Sequence, residues 1–155
     1  MCLEEKKLYH LVVTGRVLAV DVGGRRVGLA ISDASRTLVR PLETIAVTNE
    51  GDAVNRVARR IEELDTEDDR ITTIVVGMPT ALDGTPTPQT AKVQAFIARL
   101  KTRTPVPIAT EDERLSSREA ESRLALHEKD WRKRKGQLDA ASAAVFLQDY
   151  LDRPR

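Results

Sequence analysis

The spacing of apolar residues along the chain changes after about residue 50. Before that point, three stretches have the composition of β-strands, at 17–22, 27–32 and 38–47. The first two are separated by Gly23-Gly24-Arg25-Arg26, which is typical of a hairpin turn. Pro41 weakens the middle of the third strand or marks an edge or a bulge. This part of the chain is therefore predicted to form a three-strand meander.

Helices and strands alternate in the rest of the chain. Apolar residues recur there at the helical spacing of about 3.6 residues, and two short apolar runs predict strands at 71–78 and 106–110. Residues 127–136 are predicted to be a charged loop before the last helix, at 138–151. The predicted order, β-β-β-α-β-α-β-α-α, is typical of an α/β domain with a mixed sheet and helices on both faces.

The length of 155 residues predicts one domain. Residues 1–14 are expected to be an N-terminal extension, and residues 15–155 a single domain. Hydrophobic residues make up 41% of the chain and charged residues 32%, which indicates a folded globular protein and not a disordered one. The net charge of +1 argues against binding to nucleic acid by bulk charge alone, but it leaves room for a local basic patch.

The composition also excludes several classes of protein. A single cysteine, Cys2, permits neither an intramolecular disulfide nor a cysteine-based zinc site, and it favours a reducing cytoplasm. No apolar stretch approaches the ~20 residues of a membrane span, and no secretory signal is expected. The two histidines, His10 and His127, are poor material for a Ser-His-Asp triad. Carboxylates are therefore the candidate catalytic groups.

One candidate carboxylate, Asp21, lies in the first apolar strand, where a lone charge is costly to bury without a partner. It either faces a cleft or caps the Gly23-Gly24 turn. A second candidate, Asp139, opens the last helix. It either interacts favourably with the helix dipole or lies over the strand ends, because the small alanines beside it permit a close approach of helix and sheet.

Further carboxylates come from the acidic run Glu111-Asp112-Glu113-Arg114, which follows the strand predicted at 106–110. Alternation along an extended chain puts Asp112 on one face, and Glu111 and Glu113 on the other. Such a run is usually a solvated loop, but ligand sites of α/β sheets lie at the carboxyl ends of strands. Carboxylates from three separate segments suggest Mg²⁺ or Mn²⁺, which can activate water for hydrolysis of a phosphodiester.

A basic segment precedes Asp139. Residues 127–137 contain five lysines and arginines against two acidic residues, with a tryptophan among them. Such a segment either binds phosphates and stacks on a base, or is a solvated loop that the tryptophan anchors to the core. Arg25 and Arg26 of the first turn can add to the same surface. The candidate substrate-binding residues of the segment are Lys129, Trp131, Arg132, Lys133, Arg134 and Lys135.

Four motifs, taken together and in this order, resemble those of the YqgF (RuvX) family. They are LAVDVGGRRVGLAISD at 18–33, IVVGMP at 74–79, DERLSS at 112–117 and KGQLDAA at 135–141. The resemblance extends over about residues 16–152. It implies a ribonuclease H-like fold, related to Holliday-junction resolvases of the RuvC type. It also implies a nuclease that helps to mature the 5′ end of pre-16S ribosomal RNA.

The resemblance also implies roles for individual residues. The metal-binding carboxylates would be Asp21, Asp139 and one of the pair Asp112-Glu113, with Glu113 favoured. Arg25, Arg114 and the basic segment would position the phosphates. Gly77 departs from the pattern of related resolvases, which carry a catalytic glutamate on their fourth strand, whereas here the acid comes from the next strand.

Three alternatives remain open at the level of the sequence. A resolvase would cut four-way DNA junctions as a homodimer, whereas an RNA nuclease can act as a monomer. A non-catalytic module would keep the fold and bind nucleic acid without cutting it. A phosphotransferase of the actin or sugar-kinase type also has an Asp-x-Gly hairpin after its first strand, but it needs two domains, and the length of this chain supplies one.

Overall fold

The computed structural model describes residues 15–67, 69–113, 116–128 and 130–153. The elements follow the predicted order. They are β1 (Arg16–Val22), β2 (Arg26–Ser32), β3 (Val39–Ala46), α1 (Glu50–Leu64), β4 (Ile71–Met78), α2 (Pro88–Lys101), β5 (Ile108–Asp112), α3 (Ser116–His127) and α4 (Trp131–Asp152). No helix in these ranges is long and apolar enough to cross a membrane.

The five strands form one mixed sheet in the order β3-β2-β1-β4-β5. The pairs β1–β2 and β2–β3 are antiparallel, as in a meander, whereas β4 is parallel to both β1 and β5. The carboxyl ends of β1, β4 and β5 therefore lie at the same edge of the sheet. This edge is where open α/β sheets bind ligands.

The two faces of the sheet bury two apolar clusters. On one face, Leu18 and Val20 of β1 pack with residues of α1 and α2, among them the fully buried Phe96. On the other face, Val17 and Ala19 pack with residues of α4, among them the fully buried Phe146. Helix α3 packs on α4 and completes this side. The predicted mixed sheet with helices on both faces is confirmed.

Local sequence signals explain several element boundaries. Asn49 caps α1, since its side chain accepts a hydrogen bond from the backbone N–H of Asp52. Pro88 begins α2, where the missing proline N–H has no helical partner to lose. Pro41 lies on the edge strand β3, next to a shift in its register with β2. Both interpretations of Pro41, edge and bulge, are therefore correct.

Two predicted boundaries are wrong. The segment predicted as a charged loop is largely helical, because α4 begins at Trp131. Lysine and arginine are good helix formers, but an exposed helical turn made of these residues lacks the apolar stripe by which a helix is predicted. The last strand lies at Ile108–Asp112 instead of 106–110, so the first two acids of the acidic run belong to the strand itself.

The backbone of α4 passes unusually close to β2. A Cβ atom built on Gly28 would lie 2.2 Å from the carbonyl carbon and oxygen of Asp139 and 2.6 Å from the nitrogen of Ala140. No side chain fits between the two backbones at this point. Since Gly28 is also paired with Asp21 on β1, this contact sets Asp139 beside the carboxyl end of β1.

We predict that Gly28→Ala destabilises the fold. The added methyl group meets backbone atoms that cannot rotate away, and such overpacking costs about 1–3 kcal/mol or more. For a chain of this length, the melting temperature should fall by roughly 2–4 °C for each kcal/mol. Thermal unfolding followed by circular dichroism measures this. Gly24→Ala is the matched control, because its Cβ would meet no atom within 4 Å; an equal loss in both variants would contradict the explanation.

Candidate active site

Asp21 and Asp139 meet at the carboxyl end of β1. Asp21 is the next-to-last residue of β1, and its partner in the antiparallel ladder is Gly28. Because the backbone of Asp139 rests on Gly28, the two carboxylates come near enough for the charge of Asp139 to raise the pKa of Asp21. The predicted approach of the last helix to the strand ends is confirmed. Asp139 does not open the last helix, because α4 already begins at Trp131, so the alternative role of Asp139 in the first helical turn is wrong.

Glu113 joins this pair from the end of β5. Its backbone N–H donates to the carbonyl of Met78 at 3.4 Å, which continues the β4–β5 pairing by one residue. Its side chain extends over Gly77, where a Cβ atom would lie only 2.5 Å from Oε2 of Glu113. The Glu113 carboxylate is hydrogen-bonded to that of Asp21. Gly77 thus leaves the space on β4 that the carboxylate from β5 occupies.

The ionisation of Asp21 is opposed from three directions. Burial is the largest cause that raises the pKa of this carboxyl, followed by the charge and the hydrogen bond of Glu113 and then by the charge of Asp139. Burial also raises the pKa of Glu113, with contributions from the charges of Asp112 and Asp139, while the hydrogen bond with Asp21 lowers it. The two carboxyls therefore keep a proton between them, in the hydrogen bond that joins Asp21 and Glu113.

Arg26 is the counter-ion of Asp139. The Nε atom of Arg26 lies 3.1 Å from Oδ2 of Asp139, and both side chains are partly exposed. The two atoms form an ion pair without the alignment of a hydrogen bond, so Oδ2 is a buried oxygen with no hydrogen-bond partner. Arg26, which the sequence analysis placed among the phosphate-binding residues, therefore balances the charge of Asp139 in this structure.

The three carboxylates supply only oxygen donors, which hard divalent cations prefer. Within the described residues, however, no three Asp, Glu, His or Cys side chains are already arranged as a metal-binding cluster. Asp21 and Glu113 face each other through a hydrogen bond, and Asp139 faces Arg26. Binding of a cation requires that the shared proton leaves and that Arg26 moves aside.

The other acids of the β5 end do not join this group. Asp112 is exposed, whereas Glu111 is only 3% exposed, as the alternation along the strand predicts. Glu111 forms an ion pair with Arg153 near the C-terminal end of α4. Burial raises the pKa of Glu111, and the positive charge of Arg153 partly offsets this effect. Glu111 and Arg153 thus connect β5 to the end of α4, on the same face as the site.

The structure places only part of the predicted phosphate-binding surface. Arg25 is exposed in the β1–β2 turn, and Lys133 is exposed in the first turn of α4. Arg114 and Lys129 lie outside the described residues. Four residues belong to α4, but their side chains lie outside the described part of the structure: Trp131, Arg132, Arg134 and Lys135. For these residues, phosphate or base contact stays a prediction.

The sequence analysis did not show that two glycines leave the space that groups of the site occupy. Gly28 admits the backbone of α4, and Gly77 admits the carboxylate of Glu113. Both lie inside strands, where glycine is unfavourable and often marks the close approach of another group. That signal was present in the sequence, but it does not say which group approaches.

The chain is similar to known proteins along most of its length. The family model RuvX, described as Holliday junction resolvase, matches residues 15–153. A protein of Roseiflexus sp. (strain RS-1) named "Putative pre-16S rRNA nuclease" is 37% identical over 141 residues, which cover 91% of this chain and 96% of that protein. A protein of the same name from Anaeromyxobacter sp. (strain K) is 39% identical over 138 residues, which cover 89% of this chain and 97% of that protein.

A solved structure shares the fold. It is that of T. thermophilus RuvC in complex with a Holliday junction substrate, which matches with a TM-score of 0.52 and 16% identity over 88% of this chain and 93% of that one. This likeness confirms the ribonuclease H-like fold. Since the RuvX model matches nearly the whole described chain and the relatives are well above 30% identical, the chain belongs to the RuvX family.

Proposed function

We propose that this protein is a divalent-metal-dependent nuclease that hydrolyses phosphodiester bonds, with the 5′ end of cytoplasmic pre-16S ribosomal RNA as its substrate. The observation that carries the proposal is the meeting of Asp21, Glu113 and Asp139 at the ligand-binding edge of the sheet. The charges of neighbouring carboxylates help to raise the pKa of both Asp21 and Glu113, so this grouping opposes folding and calls for a functional reason. The names of the relatives supply the substrate.

Mg²⁺ or Mn²⁺ fits these residues. The donors are all oxygens, and Oδ2 of Asp139 is buried with no hydrogen-bond partner. Asp21, Glu113 and Asp139 would hold the ion, with Asp112 too exposed to share in this. When bound, such an ion lowers the pKa of an attacking water and stabilises the leaving oxygen of a phosphodiester. The cation also relieves the repulsion that raises the pKa of Asp21.

The protein's own side chains would perform the remaining tasks. With an ion bound, Asp21 would be ionised, and Glu113 would keep the orientation that Gly77 permits. Arg26 would then be available to a phosphate close to the carboxylates. Arg25 and Lys133 are exposed on elements next to the site and would contact further phosphates. Such contacts position a strand without reading its sequence.

A four-way DNA junction is the second candidate substrate. The observation in its favour is the description of the family model as Holliday junction resolvase. A junction has two symmetric cleavage points, so this function requires a homodimer with two sites, whereas RNA trimming requires one. Cleavage of a single-stranded RNA with a ribosomal precursor end and of a four-way DNA junction, each measured with Mn²⁺ and Mg²⁺, separates the two. Symmetric cutting of the junction with no cutting of RNA would favour the resolvase.

We predict that Asp21→Asn and Glu113→Gln abolish RNA cleavage while Asp112→Asn retains it. The loss should be at least about 100-fold, because even the outer-shell partners of a metal ligand account for 10–100-fold. Binding of the RNA should change little, since it depends on arginine and lysine contacts to phosphate. Single-turnover cleavage and fluorescence anisotropy measure the two quantities. A larger loss in Asp112→Asn than in Glu113→Gln would show that the second acid is assigned wrongly.

We also predict that Asp21→Asn stabilises the metal-free protein at neutral pH. The pKa of Asp21 is raised on folding, so its favourable contribution is complete at acidic pH and is lost as pH rises through the folded-state pKa. The asparagine has no charge to lose and can still donate to Glu113. In EDTA at pH 7, the melting temperature of Asp21→Asn should exceed that of the wild type by a few degrees, which corresponds to a free energy of unfolding higher by about 1 kcal/mol.

The same melting measurements, repeated at acidic pH and with added metal, provide the control. At acidic pH, where Asp21 is protonated in both the folded and the unfolded wild type, the two melting temperatures should converge. Added Mn²⁺ should raise the melting temperature of the wild type, because a ligand that binds only the folded state stabilises it, and it should raise that of Asp21→Asn much less. A variant that is less stable than the wild type at neutral pH would contradict the predicted charge repulsion.

A further inference from the structure

A cavity of about 270 Å³ opens beside the site, at the carboxyl end of β1. Consecutive side chains of a strand point to opposite faces. Asp21 belongs to the carboxylate site, whereas the next residue, Val22, lines this cavity on the face covered by α1 and α2. The glycine turn after Val22, Gly23-Gly24, also lines the cavity. The cavity and the carboxylates are therefore neighbours at one end of one strand.

The lining combines an apolar interior with a polar rim. Val22, Val47 and Ala53 contribute to the walls, and the fully buried Phe96 lies at the base. At the rim, the Gln89 side chain donates from Nε2 to the carbonyl oxygen of Val22 at 3.2 Å, which holds its amide in place. Lys92 is exposed one helical turn further along α2. This distribution suits a flat ring with a polar edge.

Gly24 has no explanation within the fold. Gly23 is required by the turn, since a Cβ there would lie 2.7 Å from the carbonyl oxygen of Arg26. A Cβ on Gly24 would meet no atom within 4 Å, and its φ lies outside the left-handed region. Gly24 nevertheless lines the cavity. Bare backbone at the edge of a cavity allows a ligand to approach more closely than any side chain would.

We propose that this cavity is a nucleobase-binding pocket that receives one base of the substrate strand next to the phosphate held at the carboxylates. The proposal rests on the proposed nuclease function and adds to it how the strand is held. The volume lies just under the roughly 300–1,000 Å³ of pockets for drug-sized molecules, so it suits a single base. When the substrate strand crosses the Gly23-Gly24 turn, one of its phosphates reaches the carboxylates and the neighbouring base enters the cavity.

Insertion of a base would define which phosphate is cut. Contacts to phosphates alone let a strand slide, because every phosphate is the same. A base in a pocket next to the carboxylates stops the strand in one register. Asn49, Gln89 and Lys92 carry the amide and ammonium groups that can hydrogen-bond with the edge of that base.

The experiment measures binding of a short single-stranded RNA that carries one abasic site, moved one nucleotide at a time along the strand. All proteins carry Asp21→Asn, so that the strand stays intact. One abasic position should weaken binding by about tenfold, which corresponds to about 1.4 kcal/mol for the contacts of one base. Gly24→Val should weaken binding of the complete RNA by a similar factor and should remove the sensitivity to that abasic position.

Two lysine variants test the pocket without changing Gly24. Lys92→Ala should weaken binding of the complete RNA. Lys101 is an exposed lysine at the far end of the same helix, so Lys101→Ala should reduce the affinity for the RNA less. The melting temperature of each variant reports on folding, and the stability of Gly24→Val should stay within about 1 kcal/mol of that of its parent, because Gly24 is exposed and its added Cβ meets no atom within 4 Å.

The outcomes separate the pocket from the nuclease. If RNA binds but no abasic position matters, or if Gly24→Val binds as its parent does, the pocket is wrong and the nuclease function stands. If free nucleoside monophosphates compete at the same concentration as the RNA, the cavity is a site for small nucleotides, and the proposal is also overturned. If no polynucleotide binds to any of the proteins, both the pocket and the proposed function fail.

Discussion

The contact on which the site depends is the one between the backbones of α4 and β2 at Gly28. A helix normally stands off a sheet by the length of its side chains, but here the carbonyl of Asp139 lies where a Cβ of residue 28 would be. The alanines of α4 allow this approach along the first half of the helix, and the fully buried Phe146 and Leu147 fill the wider space further on. This close approach brings the interior of α4 onto β2 and sets Asp139 near Asp21.

The second constraint is electrostatic, and it acts against the fold. Burial and mutual repulsion raise the pKa of Asp21 and that of Glu113, so the metal-free protein keeps a proton between them. Asp139 forms an ion pair with Arg26. Proton and arginine thus occupy the positions that a cation would take over.

Strand β5 shows how one acidic run performs two tasks. Glu111 and Glu113 lie on the same face, two residues apart, which is about 7 Å along a strand. Glu111 is buried against α4 and is neutralised by Arg153, so it serves to hold the helix. Glu113 lies past the end of the strand, where the neighbouring Gly77 has no side chain, and it turns toward Asp21. Asp112, between them, points to the other face and is exposed.

The sequence by itself determined the order of elements, the mixed sheet and the three acids, because alternation, helical spacing and strand-end position are local properties that the residues carry with them. The resemblance to the RuvX family then reduced the second acid to the pair Asp112-Glu113. Only the tertiary structure decided that Glu113 meets Asp21, that Arg26 faces Asp139 and that a cavity opens behind Val22. Each of these depends on strand register and on how closely a helix approaches the sheet. Such distances arise between segments far apart in the chain, and no pattern within one segment encodes them.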